Sequence, residues 1–298
     1  MKVKSAIIAL LLSFLLFLSA CDITFTNNLS QINGLFDNVS YAATLDEIPA
    51  FDGQQPYVVL NNNQPAFGNS DMVTESYEYY SQLDELGRCG VVMACVGIDI
   101  MPTEERGEFG MIKPTGWHTV KYDNVDGKYL YNRCHLIGYQ LTGEKANIQN
   151  LITGTRYLNI EGILPFENLV TDYVKETQNH VLYRVTPIFE DDNLLASGVQ
   201  IEAKSVEDNG EGICFNVYAY NAQPDITIDY LTGDSYYGDK NEEDFKNAEY
   251  ILNTNSKKFH LSECSAVNKI KDENKEVSTK TRDELIAEGY AACKQCNP

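Results

Sequence analysis

The sequence predicts an α+β fold: a central antiparallel sheet with helices packed on it. Two observations carry this expectation. Several segments rich in β-branched and aromatic residues alternate with period two, and one intervening segment instead places its apolar residues at helical spacing.

In chain order, the first segment is MKVKSAIIALLLSFLLFLSAC, with Lys2 and Lys4 ahead of a largely apolar run from Ala6 to Leu18. Such a run is too short to cross a bilayer core of about 30 Å as a helix, but it suits the core of an export signal. Leu18-Ser19-Ala20-Cys21 resembles the bacterial lipobox, which implies a signal over residues 1–20 and a lipid on the Cys21 thiol. The expected location is therefore extracytoplasmic, anchored to the cell membrane by that lipid or secreted. Residues 21–44, rich in Asn and Ser, read as a flexible tether.

The folded body is expected over residues 45–233. GWHTVKYD, HVLYRVTPIF, GVQIEAKSV and GICFNVYAY read as strands. Phe166, Leu169, Val170, Tyr173 and Val174 fall at the spacing of one buried helical face, with Pro165 tolerated in the first turn. An acidic, Tyr-rich linker over residues 234–245 then separates the body from a tail module at 246–298.

Of 298 residues, 43 are acidic and 23 basic, a formal net charge of −20. That excludes a protein that grips nucleic acid by massed neutralisation of phosphates, so chemistry on a polyanion requires local cations or a metal. The chain has eight cysteines. Apart from Cys21 and three in the tail, Cys89, Cys95, Cys134 and Cys214 remain, and four cysteines permit three pairings. A local Cys89–Cys95 bridge is the preferred expectation.

YNRCHLIGYQL places His135 between a strand and a helix, and NLITGTRYLNIEGILPFENLV follows. Together they resemble the DNA/RNA non-specific endonuclease family of ββα-metal nucleases. In that family an Asp-Arg-Gly-His motif ends a strand and its histidine is the general base; here Asn132, Arg133, Cys134 and His135 stand in those places. Two asparagines nine residues apart follow, matched by Asn150 and Asn159, and a glutamate further on is matched by Glu167. The resemblance covers about two thirds of the chain. It implies a ββα-metal core in which Asn159 is the Mg²⁺ ligand, with Mn²⁺ as a substitute. Asn150 then orients the site or the phosphate, and Arg133 contacts the phosphate or braces the strand. Where some members carry an arginine, this chain has Thr171, with Lys175 one helical turn on.

The chemistry asks for these residue types on its own account. Phosphodiester hydrolysis needs a water, a neutral imidazole to take its proton, and positive charge for the crowded transition state. An ordinary imidazole, with a pKa of about 6.5, is largely neutral near pH 7. Magnesium takes oxygen ligands and keeps several waters, so one amide oxygen suffices if Glu167 accepts hydrogen bonds from those waters. An ion held by one neutral ligand keeps its charge for phosphate, which lets an acidic protein cleave a polyanion.

Trp117 is expected in the core, His118 on the surface and His180 at a strand opening, with Arg156 and Lys175 as solvated charges. In the tail, His260, Cys264, Cys293 and Cys296 form the pattern H-x3-C…C-x2-C. One imidazole and three thiolates suit a closed, structural Zn²⁺ site, and a module of this size with few large apolar residues needs such a staple. The pattern resembles the metal-binding module of the Ada DNA-repair protein, and TKTRDELIAEGY reads as a helix between the ligand pairs. The function expected is a lipid-anchored, Mg²⁺-dependent endonuclease acting on DNA, and on RNA as a second substrate. The alternatives are a non-catalytic surface protein for DNA binding or uptake on the same scaffold, and a zinc-bearing structural lipoprotein.

Overall fold

The computed structural model describes residues 43–104, 112–238, 249–262, 264–293 and 296. The leader, Cys21 and nearly all of the tether lie outside the described residues.

The strands are β1 (Tyr57–Val59), β2 (Tyr77–Tyr80), β3 (Val92–Val96), β4 (Tyr131–His135), β5 (Leu151–Thr155), β6 (Val181–Ile188), β7 (Gly198–Ser205) and β8 (Cys214–Tyr220). Six of them form one antiparallel sheet in the order β1-β8-β7-β6-β3-β2. Alternate residues of β6, β7 and β8, among them Tyr183, Val185, Ile201, Ala203, Phe215 and Val217, point into one apolar core. On the far face Arg184 of β6 pairs with Glu202 of β7 at 2.6 Å, both buried, and a loop covers them with Ala66 and Phe67. The sheet is thus covered on both faces, which is why these strands carry polar residues that are nonetheless inaccessible.

β4 and β5 pair separately as an antiparallel hairpin with His135 opposite Leu151. A short helix α1 (Tyr139–Thr142) follows β4. A π-turn at Leu158–Ile163 follows β5 and runs straight into helix α2 (Leu164–Thr177), with Pro165 in its first turn. Two strands and a helix laid against the main sheet make the α+β architecture expected.

Several expectations change. GWHTVKYD is no strand: Gly116 takes a φ of 62° and only Lys121 makes an isolated bridge, to Tyr129. Leu169 is not on the buried face of α2 but 52% exposed, and the inward positions are Phe166, Glu167, Val170, Thr171 and Val174. The cysteines are all free among the described residues: Cys89 donates to the carbonyls of Ile148 and Leu151, and Cys95 to that of Val73. No Cys89–Cys95 bridge forms: Cys89 lies in the main apolar core beside the β4–β5 hairpin, whereas Cys95, itself in β3, faces away from that core toward the Val73 carbonyl. Burial pushes both thiols up to about 12, so neither is a ready nucleophile.

The stretch read as a linker opens with ordered structure. Ser235–Tyr237 form β10, which pairs with β9 (Ile226–Ile228), and Asp234 is buried. The tail is a four-stranded sheet in the order β13-β11-β12-β14, made of β11 (Tyr250–Asn253), β12 (Lys258–Leu261), β13 (Lys275–Ser278) and β14 (Ala291–Ala292). Helix α3 (Arg282–Ala287) falls inside TKTRDELIAEGY, started by a capping box between Thr281 and Glu284. Its Leu285 joins Tyr250, Leu252, Phe259 and Tyr290 in a small core.

Candidate active site and metal centre

His135 ends β4 and is buried. Its Nε2 lies 3.0 Å from the backbone carbonyl of Lys145. A carbonyl can only accept, so in the neutral ring Nε2 carries the proton and Nδ1 carries the lone pair. The partner therefore selects the tautomer that a general base requires.

Asn150 stands just before Leu151, the residue opposite His135. It is fully buried, accepts from the Ile137 N–H at 2.8 Å and donates to the Ile137 carbonyl at 2.9 Å. With both amide ends on one backbone unit and no exposed surface, it fixes the path of the chain leaving His135.

Glu167 projects inward from the first turn of α2 and is buried. Its carboxylate lies against Gly138, where an added Cβ would fall 2.3 Å from Oε1. Gly138 has an ordinary extended backbone, φ −63° and ψ 147°, so the glycine is needed for space and not for conformation. Gln140 donates to the Glu167 carboxylate at 3.5 Å and to Asn168 at 3.0 Å. The imidazole of His135, three residues before Gly138, and the carboxylate are thereby brought to one end of the hairpin. Gly138→Ala is expected to displace Glu167 and lower turnover by about 10-fold or more, since a methyl cannot share that space. Steady-state rates alongside an unchanged circular-dichroism spectrum check this.

Asn159 sits in the π-turn, half-buried, and its side-chain amide has no hydrogen-bond partner among the described residues. Such turns inside helices recur at functional positions because they turn a side chain out of helical register. Thr171 is buried and Lys175, one turn on, is exposed.

Arg133 shares the His135 face of β4, since side chains alternate along a strand. Its guanidinium stacks on Trp117, 4.1 Å from the ring centroid, and Nε donates to the Ile112 carbonyl. Trp117 is thus half-buried, packing against the core cluster of Val120, Val125, Leu130, Tyr131 and Leu195 while Arg133 covers its ring. The departures from the motif lie on the other face. Asn132 accepts from Arg156 at 3.4 Å, and Arg156 in turn pairs with Asp126 at 2.8 Å. Cys134 packs on Gly154, where a Cβ would meet its Sγ at 2.4 Å. The glycine lost at position 134 is compensated across the hairpin.

Between Ile112 and Arg156 the chain carries six basic and three acidic residues, whereas residues 43–104 and 157–238 together carry four basic and 24 acidic. The one basic stretch of the body is the stretch that holds His135.

In the tail, single ligand atoms of His260, Cys264, Cys293 and Cys296 all lie within 4.8 Å of one another. His260 Nδ1 is buried without a hydrogen-bond partner. Burial, and secondarily Lys258, lowers the His260 pKa, holding the imidazole in its neutral, ligating form. Burial and then the crowding of Cys264 and Cys293 push the Cys296 thiol far up, an arrangement that a cation among the sulfurs would reverse.

A hairpin and a helix carrying one histidine, one asparagine and one glutamate against an antiparallel sheet define a ββα-metal nuclease fold. Residues 69–207 match the model of the family DNA/RNA non-specific endonuclease. Among solved structures, it is similar to NucA from Streptococcus agalactiae with magnesium bound, at 28% identity and a TM-score of 0.55, covering 63% of this chain and 93% of that one. The metal-free form of the same protein gives 27% and 0.56, covering 70% and 96%. Sda1 nuclease with a bound zinc ion, at 24% identity and a TM-score of 0.50 over 60% of this chain and 95% of that one, shares the fold.

The sequence pointed to His135, Asn150, Asn159, Glu167 and Arg133. It missed Gly138, Gln140, Lys145 and the stacking of Trp117. A glycine three residues after the base was visible, but the steric need for it was not.

Proposed function

We propose that the protein is an extracytoplasmic endonuclease that hydrolyses phosphodiester bonds of DNA, and of RNA, with His135 as general base. The observation that carries this reading is the Nε2 contact of His135 with the Lys145 carbonyl, which leaves Nδ1 as the proton acceptor. A water on that side loses its proton to Nδ1 as its oxygen attacks phosphorus; the ester P–O bond opposite breaks, the departing oxygen takes a proton from solvent, and the imidazolium so formed keeps its Nε2 donor bond until it returns its proton to solvent. Asn150 and Lys145 hold the ring's surroundings still, and Arg133, carried on the Trp117 face, meets the phosphate backbone. The basic stretch 112–156 gathers the polyanion onto this face in a chain that elsewhere repels it.

The donor set fits a hard divalent ion: Asn159 offers an amide oxygen and Glu167 a buried carboxylate behind it. Mg²⁺, or Mn²⁺ in its place, would supply positive charge to the scissile phosphate. The tail donors fit Zn²⁺ in a structural site of three sulfurs and one nitrogen, in the manner of the Ada module. The lipobox at Cys21 supports anchoring by lipid and residues 1–20 support export. We take residues 45–233 as the nuclease domain, extended to β10 by its pairing, and 246–298 as the zinc module.

The test is incubation of purified protein with plasmid and with RNA. Cleavage is expected with Mg²⁺ and none with EDTA. Retardation of DNA in a gel without cleavage under either condition would replace the enzyme by a binding protein.

A further inference from the structure

Arg282 opens helix α3 of the tail, where the Thr281 capping box fixes its position. Its two terminal nitrogens reach Asp234 of the body at 2.6 and 2.7 Å, one to each carboxylate oxygen. The Asp234 side chain is only 5% exposed. This is a fork-to-fork pair that sets orientation as well as distance, and losing the guanidinium would leave a buried carboxylate with only the Thr232 hydroxyl at 3.2 Å and His118 Nδ1 at 3.9 Å among the described residues.

The segment around Asp234 grips the segment around Trp117 at three points. Gly233 lies flat on Gly116, where a Cβ would fall 2.1 Å from the Gly116 carbonyl oxygen. His118 Nε2 lies 3.1 Å from the Thr232 carbonyl, and the Tyr122 and Ser235 hydroxyls meet at 2.9 Å. The chain on either side of Trp117 is therefore fixed by residues 232–235 while Arg133 stacks on its ring. Arg133 stands two residues before His135 on the same strand face.

We infer that the metal-clustered tail is a working part of the nuclease site, with Arg282 a positioning residue that braces the Trp117–Arg133 layer through Asp234. For its metal arm and its cleavage readout the inference rests on the zinc and nuclease readings above; the contact itself does not depend on them. The brace acts on how substrate is held, not on proton transfer, so its loss raises KM and leaves kcat close to unchanged.

Trp117 is the only tryptophan in the chain, so its fluorescence reports on this layer without any reference to activity. In the full chain, Arg282→Glu is expected to shift Trp117 emission to the red and raise KM for DNA roughly fivefold, about 1 kcal/mol of lost positioning. Arg282→Lys, which keeps the charge and loses the fork, should fall between the two. The exchanged pair Asp234→Arg with Arg282→Glu should recover most of the emission and the KM. A nitrogen-donor chelator too weak to take Mg²⁺ should shift wild-type emission in the same way and add nothing in Arg282→Glu. Unchanged emission and KM in both Arg282 variants, or a fall in kcat at constant KM, overturns the inference and leaves the nuclease reading intact. Shifted emission in a chain that cleaves nothing under any condition sinks the nuclease reading and leaves the brace.

Discussion

His135→Ala is expected to lower kcat by about 10³-fold, within the range of 10² to 10⁴ that a positioned general base contributes. The folded structure should persist, because the hairpin is held by its own ladder and by Asn150 on the Ile137 backbone. Two further variants separate chemistry from structure. His135→Gln supplies an N–H toward the Lys145 carbonyl but no basic nitrogen, and should be as inactive as alanine. Free imidazole should restore part of the alanine variant's rate and nothing of the glutamine variant's, since glutamine fills the space. An alanine variant retaining more than a tenth of wild-type turnover at an unchanged melting temperature would dismiss His135 as the base. Asn132→Asp, by contrast, should change little, because that side chain lies on the opposite face of β4, toward Arg156.

Much of this site was legible because its residues sit on regular elements. The nine-residue spacing of Asn150 and Asn159 spans β5 and the turn after it, and the helix after Pro165 follows from its apolar spacing. What escaped was set by contacts distant in sequence. GWHTVKYD alternates like a strand, yet Gly116 must turn to a positive φ to meet Gly233, more than a hundred residues on, and no local pattern announces that. Leu169 matches the helical stripe but is displaced from the interior by Glu167 and Thr171, since the inward edge of α2 faces a polar site and not only the sheet. The Cys89–Cys95 expectation failed for a similar reason: nearness in sequence says nothing when one thiol joins the core beneath the sheet and the other, on β3, faces away from it.

Cys293→Ser should unfold the tail while leaving the main sheet standing. Among the described residues the module's apolar cores are small, Tyr250, Leu252, Phe259, Leu285 and Tyr290 in one cluster and Val267 and Ile270 beside Cys264 and Cys293 in another, too few to offset the ordering of some fifty residues at roughly 1.5 kcal/mol each. A structural zinc supplies on the order of 10 kcal/mol or more at neutral pH, and it does so only when the ligand set is complete. Cys293 is also where the Cys/His cluster and the sheet meet: its N–H donates to the Phe259 carbonyl at 2.9 Å, directly beyond the two-residue pairing of β14 with β12, and Phe259 precedes His260 of the same cluster. Losing that thiolate frees one end of the cluster and the parallel edge of the sheet together. The wild-type chain should contain one zinc per molecule and the variant none. Amide protection should vanish from β11 and β12 and persist in β6, β7 and β8. A metal-free wild-type tail with protected β11 and β12 would mean that sulfur chemistry or packing alone holds it. Disulfides would then have to join two of three thiols that the structure keeps free and leave the buried His260 nitrogen without a role.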